Sequence, residues 1–295
     1  MFKKVLKSEE MKENHFREIE LKLATLTLRG KEWGDPDGKP LLGLHGWLDN
    51  AATFDKLAPY LEKFHFVALD WSGHGLSDHR GAGDNYHFVD WIPELFEAAD
   101  SLGWERFSVI AHSLGAGMSA LAAGSIPERI ESLVLIEGIG PMSARPKDTP
   151  PQMKKAIMER KSFLAKKLKV YPTFEEALSQ RANSDYPVSL EEAKLLAKRS
   201  IKKVEGGFIF DYPILLRAIS LTYLTEEQIG AFLSSITCPV LFVRATDSFL
   251  RQYPQIDTRI NQVPDIEVFE MSGGHHLHLG SADKIAPKII DFLTK

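Results

Sequence analysis

Three observations predict an α/β fold with a mostly parallel central sheet and helices on both faces. Continuous apolar runs end in glycine-containing turns, each run leads into a segment with helical spacing, and the rhythm stops near Pro141 and resumes near Cys238. Unbroken apolar runs are what a parallel sheet requires, because helices cover both of its faces. The pattern divides the 295 residues into an N-terminal extension (1–17), a core made of 18–140 and 236–295, and an inserted all-helical lid over 141–235.

Each element has its own signal. "EIELKLATLTLRGKEWG" alternates through Leu21, Leu23, Leu26 and Leu28, which predicts two half-buried strands in an edge hairpin. "PLLGLHG" precedes a helix expected near 51–63, and "FHFVALDWSG" reads as the next strand. Phe88, Trp91, Ile92, Leu95, Phe96 and Ala99 lie at helical spacing and predict a helix over 87–102. "RFSVIAHS" runs into a helix over 114–125, and "ESLVLIEG" follows it. In the insertion, Thr173 with Glu176, Ser189 with Glu192 and Thr225 with Gln228 fit capping boxes, and no strand alternation stands out. "CPVLFVRATD", a helix near 248–262, "DIEVFEM" and a last helix in "SADKIAPKIIDFLT" restore the α/β rhythm.

Composition narrows the function classes. A net charge of -4 argues against bulk attraction to nucleic acid or anionic membrane. The insertion, with 16 Lys and Arg against 11 Asp and Glu, reads as solvated helix faces. Cys238 is the only cysteine, so neither an intrachain disulfide nor a cysteine metal cluster can form. No apolar run is long enough for a membrane span. The charges in "MFKKVLKSEEMKENHF" interrupt any signal peptide, so a cytoplasmic protein is expected.

"VIAHSLGAG" poses the chemical question, because Ser113 falls between an apolar run and a helix in a near match to G-x-S-x-G. A neutral hydroxyl needs a base within hydrogen-bond reach and a third group to orient that base. In a parallel sheet all three should come from loops at the carboxyl ends of strands. "MSGGHHLHLG" supplies His275 as the favoured base, after two glycines, with His276 as the alternative. Two acids end apolar runs: Asp247 in "VLFVRATD" and Glu137 in "LVLIE". The amides of Leu114 and Trp47 are the expected oxyanion donors, with Gly46 allowing a tight turn and His45 and Asp49 either supporting the loop or serving only as turn residues. His275, His276 and His278 lack the spacing or cysteine partner of a metal site, so neither metal nor cofactor is expected.

With these residues assembled, the chain resembles an α/β-hydrolase, and more narrowly the serine hydrolase-like protein family. The resemblance spans 20–294 and rests on "LHGWLDNAATFDKLAPYL", "ALDWSGHGLSDHR", "AHSLGAGMSALAAG" and "GGHHLHL". It implies Ser113 as nucleophile, His275 as base, and Asp247 in preference to Glu137 as acid, since the acid usually follows the penultimate strand. Asp70, Gly73, Gly75 and Ser77 match a turn that shapes the core. Ala111 departs from the usual first glycine, and "RATD" lacks the glycine often found before the acid. The implied activity is hydrolysis of an ester or related acyl substrate, a small molecule. A thioester, lactone or carbon–carbon hydrolase, or a ligand receptor with little turnover, are the alternatives.

Overall fold

The computed structural model describes residues 16–81 and 83–295. The expected N-terminal extension therefore lies outside the described residues as far as residue 15. Strands β1 (Arg17–Lys22), β2 (Thr27–Gly34), β3 (Lys39–Leu44), β4 (Phe64–Asp70), β5 (Phe107–His112) and β6 (Ile130–Ile136) precede the insertion. Helices α1 (Trp91–Ser101) and α2 (Leu114–Ser125) lie among them. The insertion holds α3 (Thr149–Leu164), α4 (Phe174–Ala182), α5 (Leu190–Ser200), β7 (Ile201–Val204), β8 (Gly207–Phe210) and α6 (Glu226–Ser234). After it come β9 (Val240–Ala245), α7 (Gln255–Ile260), β10 (Ile266–Met271), α8 (Leu277–Gly280) and α9 (Ala282–Leu293).

Eight strands form one sheet in the order β1-β2-β4-β3-β5-β6-β9-β10. From β4 to β10 every pairing is parallel, while β1 and β2 form the antiparallel edge that the alternating leucines predicted. β5 is buried at all six positions, as a strand covered on both faces must be. One core cluster packs Leu95, Met118, Ile229 and Leu233 against one face; another packs Phe54, Leu61, Ile285 and Ile289 against the other. Cys238 is buried, and burial pushes its thiol up to about 11.

Three expectations are corrected. The insertion is not all-helical, because β7 and β8 pair antiparallel as a hairpin within it. The helix expected near 51–63 is two short 3-10 turns, Ala51–Phe54 and Ala58–Leu61, with Pro59 entering at the second and bringing no N–H to continue a helix. The helix expected near 248–262 divides into a 3-10 turn, Phe249–Gln252, and α7, with Pro254 at the break. No helix among the described residues is long and apolar enough to cross a membrane.

The insertion packs over the loops at the carboxyl ends of the strands. Asn50 Nδ2 donates to Leu196 O at 2.9 Å, and Arg199 on α5 pairs with buried Asp70 at the end of β4 at 2.7 Å. Asp70 also accepts from the amides of Ala51 and Leu76, so one carboxylate ties the expected core turn to the insertion.

Candidate active site

Ser113 occupies the corner between β5 and α2 with φ 51° and ψ -111°. An L-residue enters that region at a cost of roughly 1–3 kcal/mol. The corner is crowded by backbone, and only small neighbours fit. A Cβ on Gly115 would lie 2.5 Å from the Leu44 carbonyl oxygen, and one on Gly46 would lie 3.1 Å from Ser113 Cβ. Ala111 is fully buried where the elbow's first glycine is usual. The Ser113 amide donates to the Ile136 carbonyl at 2.9 Å, which anchors the turn to β6.

His275 arrives from the loop after β10. Its Nε2 lies 2.9 Å from Ser113 Oγ, and its Nδ1 lies 3.3 Å from Glu137 Oε2. Nδ1–H therefore donates to the carboxylate, which leaves Nε2 free to accept the serine proton. The Glu137 side chain is fully buried and the His275 side chain is 8% exposed. Burial pushes the imidazole pKa below its usual 6.5, with charge on His276 adding to that and Glu137 opposing it.

The acid favoured in the sequence is not the one in contact. Asp247 is exposed, and its side chain has no hydrogen-bond or ion-pair partner among the described residues. Its amide donates to the Gly273 carbonyl at 3.0 Å, continuing the pairing of Thr246 with Met271. That extension carries the backbone alongside the β10 loop and turns the carboxylate outward. Ser248, one residue on, faces inward and donates to Glu137 Oε2, while the Ala245 amide donates to Oε1 at 2.6 Å. β9 thus supplies donors to an acid that comes from β6. Glu137 itself has φ 55°, a second strained residue beside the serine.

The Trp47 and Leu114 amides have no acceptor among the described residues. Gly46 brings the Trp47 loop against the serine, and Leu114 follows Ser113 directly, so both donors adjoin the hydroxyl. His45 fixes this loop from below: the Trp71 amide donates to its Nε2 at 3.0 Å, so Nδ1 carries the proton given to the Gly46 carbonyl at 2.7 Å. The imidazole is wholly buried, and burial lowers its pKa, in keeping with that neutral tautomer.

Sequence reasoning missed a layer of imidazoles packed around His275. His112 donates from Nε2 to the His275 carbonyl at 2.9 Å, holding the base's main chain. His276, the alternative base, instead meets Asp49 Oδ2 at 3.0 Å, and Arg181 from α4 meets Asp49 Oδ1 at 2.7 Å. Burial pulls the Asp49 pKa up, but Arg181, His276 and His112 together hold it well below 3.8. Ligand atoms of Asp49, His112 and His276 lie within 4.8 Å of one another, a spacing that suits a metal ion. The Arg181 guanidinium, 3.4 Å from His276 Nε2, already brings positive charge to that cluster. The "HS" before the helix and "HH" after two glycines were the visible signals for this layer. Tyr186 could not be found from sequence: it belongs to the insertion, and its ring lies 4.8 Å from that of His275.

The strained serine corner at the end of a central parallel strand, with an imidazole and an acid beside it, defines an α/β-type hydrolase. The chain belongs to the alpha/beta hydrolase fold family, which matches residues 39–191. Within that class it is similar to serine hydrolase-like proteins. One from Danio rerio is 31% identical, covering 90% of this chain and 85% of the relative. Serine hydrolase-like protein 2 from Homo sapiens is 28% identical, covering 93% of each. Among solved structures, a hypothetical protein from Pseudomonas aeruginosa PAO1 superposes with a TM-score of 0.90 at 37% identity, covering 94% of this chain and 99% of the other.

Proposed function

We propose that the protein is a serine hydrolase that cleaves a carboxylic ester or a related acyl compound through an acyl-enzyme. The observation that carries this reading is the unbroken line from Ser113 Oγ to His275 at 2.9 Å and on to Glu137 at 3.3 Å. His275 takes the proton as Ser113 attacks the acyl carbon, and Glu137 holds the imidazole tautomer and stabilises its charged form. The Trp47 and Leu114 amides receive the oxyanion, each such donor being worth roughly 3–4 kcal/mol in the transition state. The imidazolium then protonates the leaving group, and water, deprotonated by the same nitrogen, releases the acid. The insertion covers the crevice and limits access of water.

Labelling with a fluorophosphonate followed by peptide mapping tests this. Modification of Ser113 is expected, together with a fall of roughly a million-fold in ester kcat for Ser113→Ala. Near-normal turnover by that variant would end the proposal.

A further inference from the structure

A cavity of about 270 Å³ lies between the core and the insertion. Trp47, Leu48 and His276 bound it on the core side, and Tyr171, Phe210 and Tyr212 face them from the insertion. Trp47 also carries one of the two proposed oxyanion amides and His276 follows His275, so the cavity shares its core-side wall with the proposed site. Ligand pockets usually run from roughly 300 to 1,000 Å³, and this one suits a short acyl group rather than a lipid chain.

Four charged side chains line it: Arg181, Arg217, Asp185 and Asp211. Arg181 is neutralised by Asp49 at 2.7 Å, and Asp211 faces Lys202 at 3.4 Å. Asp185 is exposed. Arg217 has no carboxylate partner among the described residues, and its hydrogen bond goes to Tyr212 Oη at 3.4 Å. Tyr171 belongs to the same corner. Burial raises its phenol pKa, with Tyr212 adding to the rise and Arg217 opposing it. The phenol oxygen of Tyr212 takes one guanidinium N–H, which leaves the other N–H groups of Arg217 and the two phenol O–H groups as donors with no carboxylate partner among the described residues. A carboxylate satisfies them, since guanidinium and carboxylate match in planar, two-bond geometry.

We propose that the cavity selects substrates whose short acyl arm ends in a carboxylate, read by Arg217 with the hydroxyls of Tyr171 and Tyr212. The substrate class is then the half-esters, or half-thioesters, of short dicarboxylic acids. This inference rests on the serine-hydrolase reading, but binding of the acid arm can be measured without turnover.

Two measurements decide it. The first compares kcat/KM for three p-nitrophenyl esters of similar length: the glutarate half-ester, its methyl-capped neutral counterpart, and the 5-aminopentanoate. The charged hydrogen bonds predict a preference of roughly ten-fold or more for the half-ester over the capped ester. The ratio should fall to about one in Arg217→Met and recover in part in Arg217→Lys. Equal rates on the anionic and capped esters, preference for the amine, or an unchanged ratio in Arg217→Met overturns the inference. The second follows Tm with monomethyl glutarate against dimethyl glutarate. Stabilisation by the acid alone, lost in Arg217→Met, is expected. Its absence overturns the inference even if esters are cleaved, whereas its presence without any ester cleavage supports the anion site and removes the serine-hydrolase reading instead.

Discussion

Ser113 and Glu137 both hold positive φ, 51° and 55°, at the ends of adjacent strands. Those two ends bring the proposed nucleophile and acid to opposite sides of His275. Glu137→Gln should therefore lower kcat by roughly 10³- to 10⁴-fold with the fold intact, because an amide cannot fix the required tautomer. Asp247→Asn, at an exposed side chain with no partner among the described residues, should stay within about two-fold. Steady-state kinetics on the two variants checks the assignment, and a larger loss for Asp247→Asn would reverse it. The base has a pH signature. Its pKa lies below 6.5, so kcat/KM should hold at pH 6.5 and decline only at more acid pH as Nε2 becomes protonated. Glu137 raises that pKa, so in Glu137→Gln the residual activity should decline at a still lower pH. An acid limb centred above 6.5 would contradict the geometry.

Elements were legible in proportion to how local their cause is. "LVLI" and "VLFV" are apolar throughout because helices cover both faces of the sheet, so β6 and β9 could be read directly. The hairpin of β7 and β8 could not be read from alternation, since each strand has four residues and lysines occupy two of the first four. Its one cue was "VEGGF", where Gly206 and Gly207 take φ 83° and 147°. The acid was open for a different reason: both candidates end apolar runs, and only the pairing of Thr246 and Asp247 with the β10 loop decides which carboxylate faces inward. The insertion is held by a contact equally invisible in sequence, that of Arg199 with Asp70, whose side chains are 5% and 0% exposed. Arg199→Met leaves Asp70 buried without its counter-charge, and should cost roughly 3–5 kcal/mol in urea unfolding. A loss under 1 kcal/mol would mean that α5 is anchored elsewhere.

Across the whole molecule, buried imidazoles predict a loss of stability in acid. Burial depresses the pKa values of His45, His74, His112, His275 and His278, the last to about 3. Below pH 6.5 the unfolded chain binds protons that the folded chain refuses, so the stability present above that pH is lost progressively as pH falls, for His278 down to about 3. Each fully refused proton contributes about 1.4 kcal/mol per pH unit. Denaturant midpoints should accordingly fall steeply between pH 6.5 and 4, and a flat profile there would mean that these rings are hydrated. Trp47 carries a last consequence. Its amide is one of the two proposed oxyanion donors, while its indole Nε1 donates to Leu216 O of the insertion at 3.1 Å. On the proposed mechanism one residue therefore ties the insertion to the charge-stabilising amide: an ester bulky enough to displace Leu216 should bind yet turn over slowly, so that selection by size would act on the rate of chemistry as well as on entry.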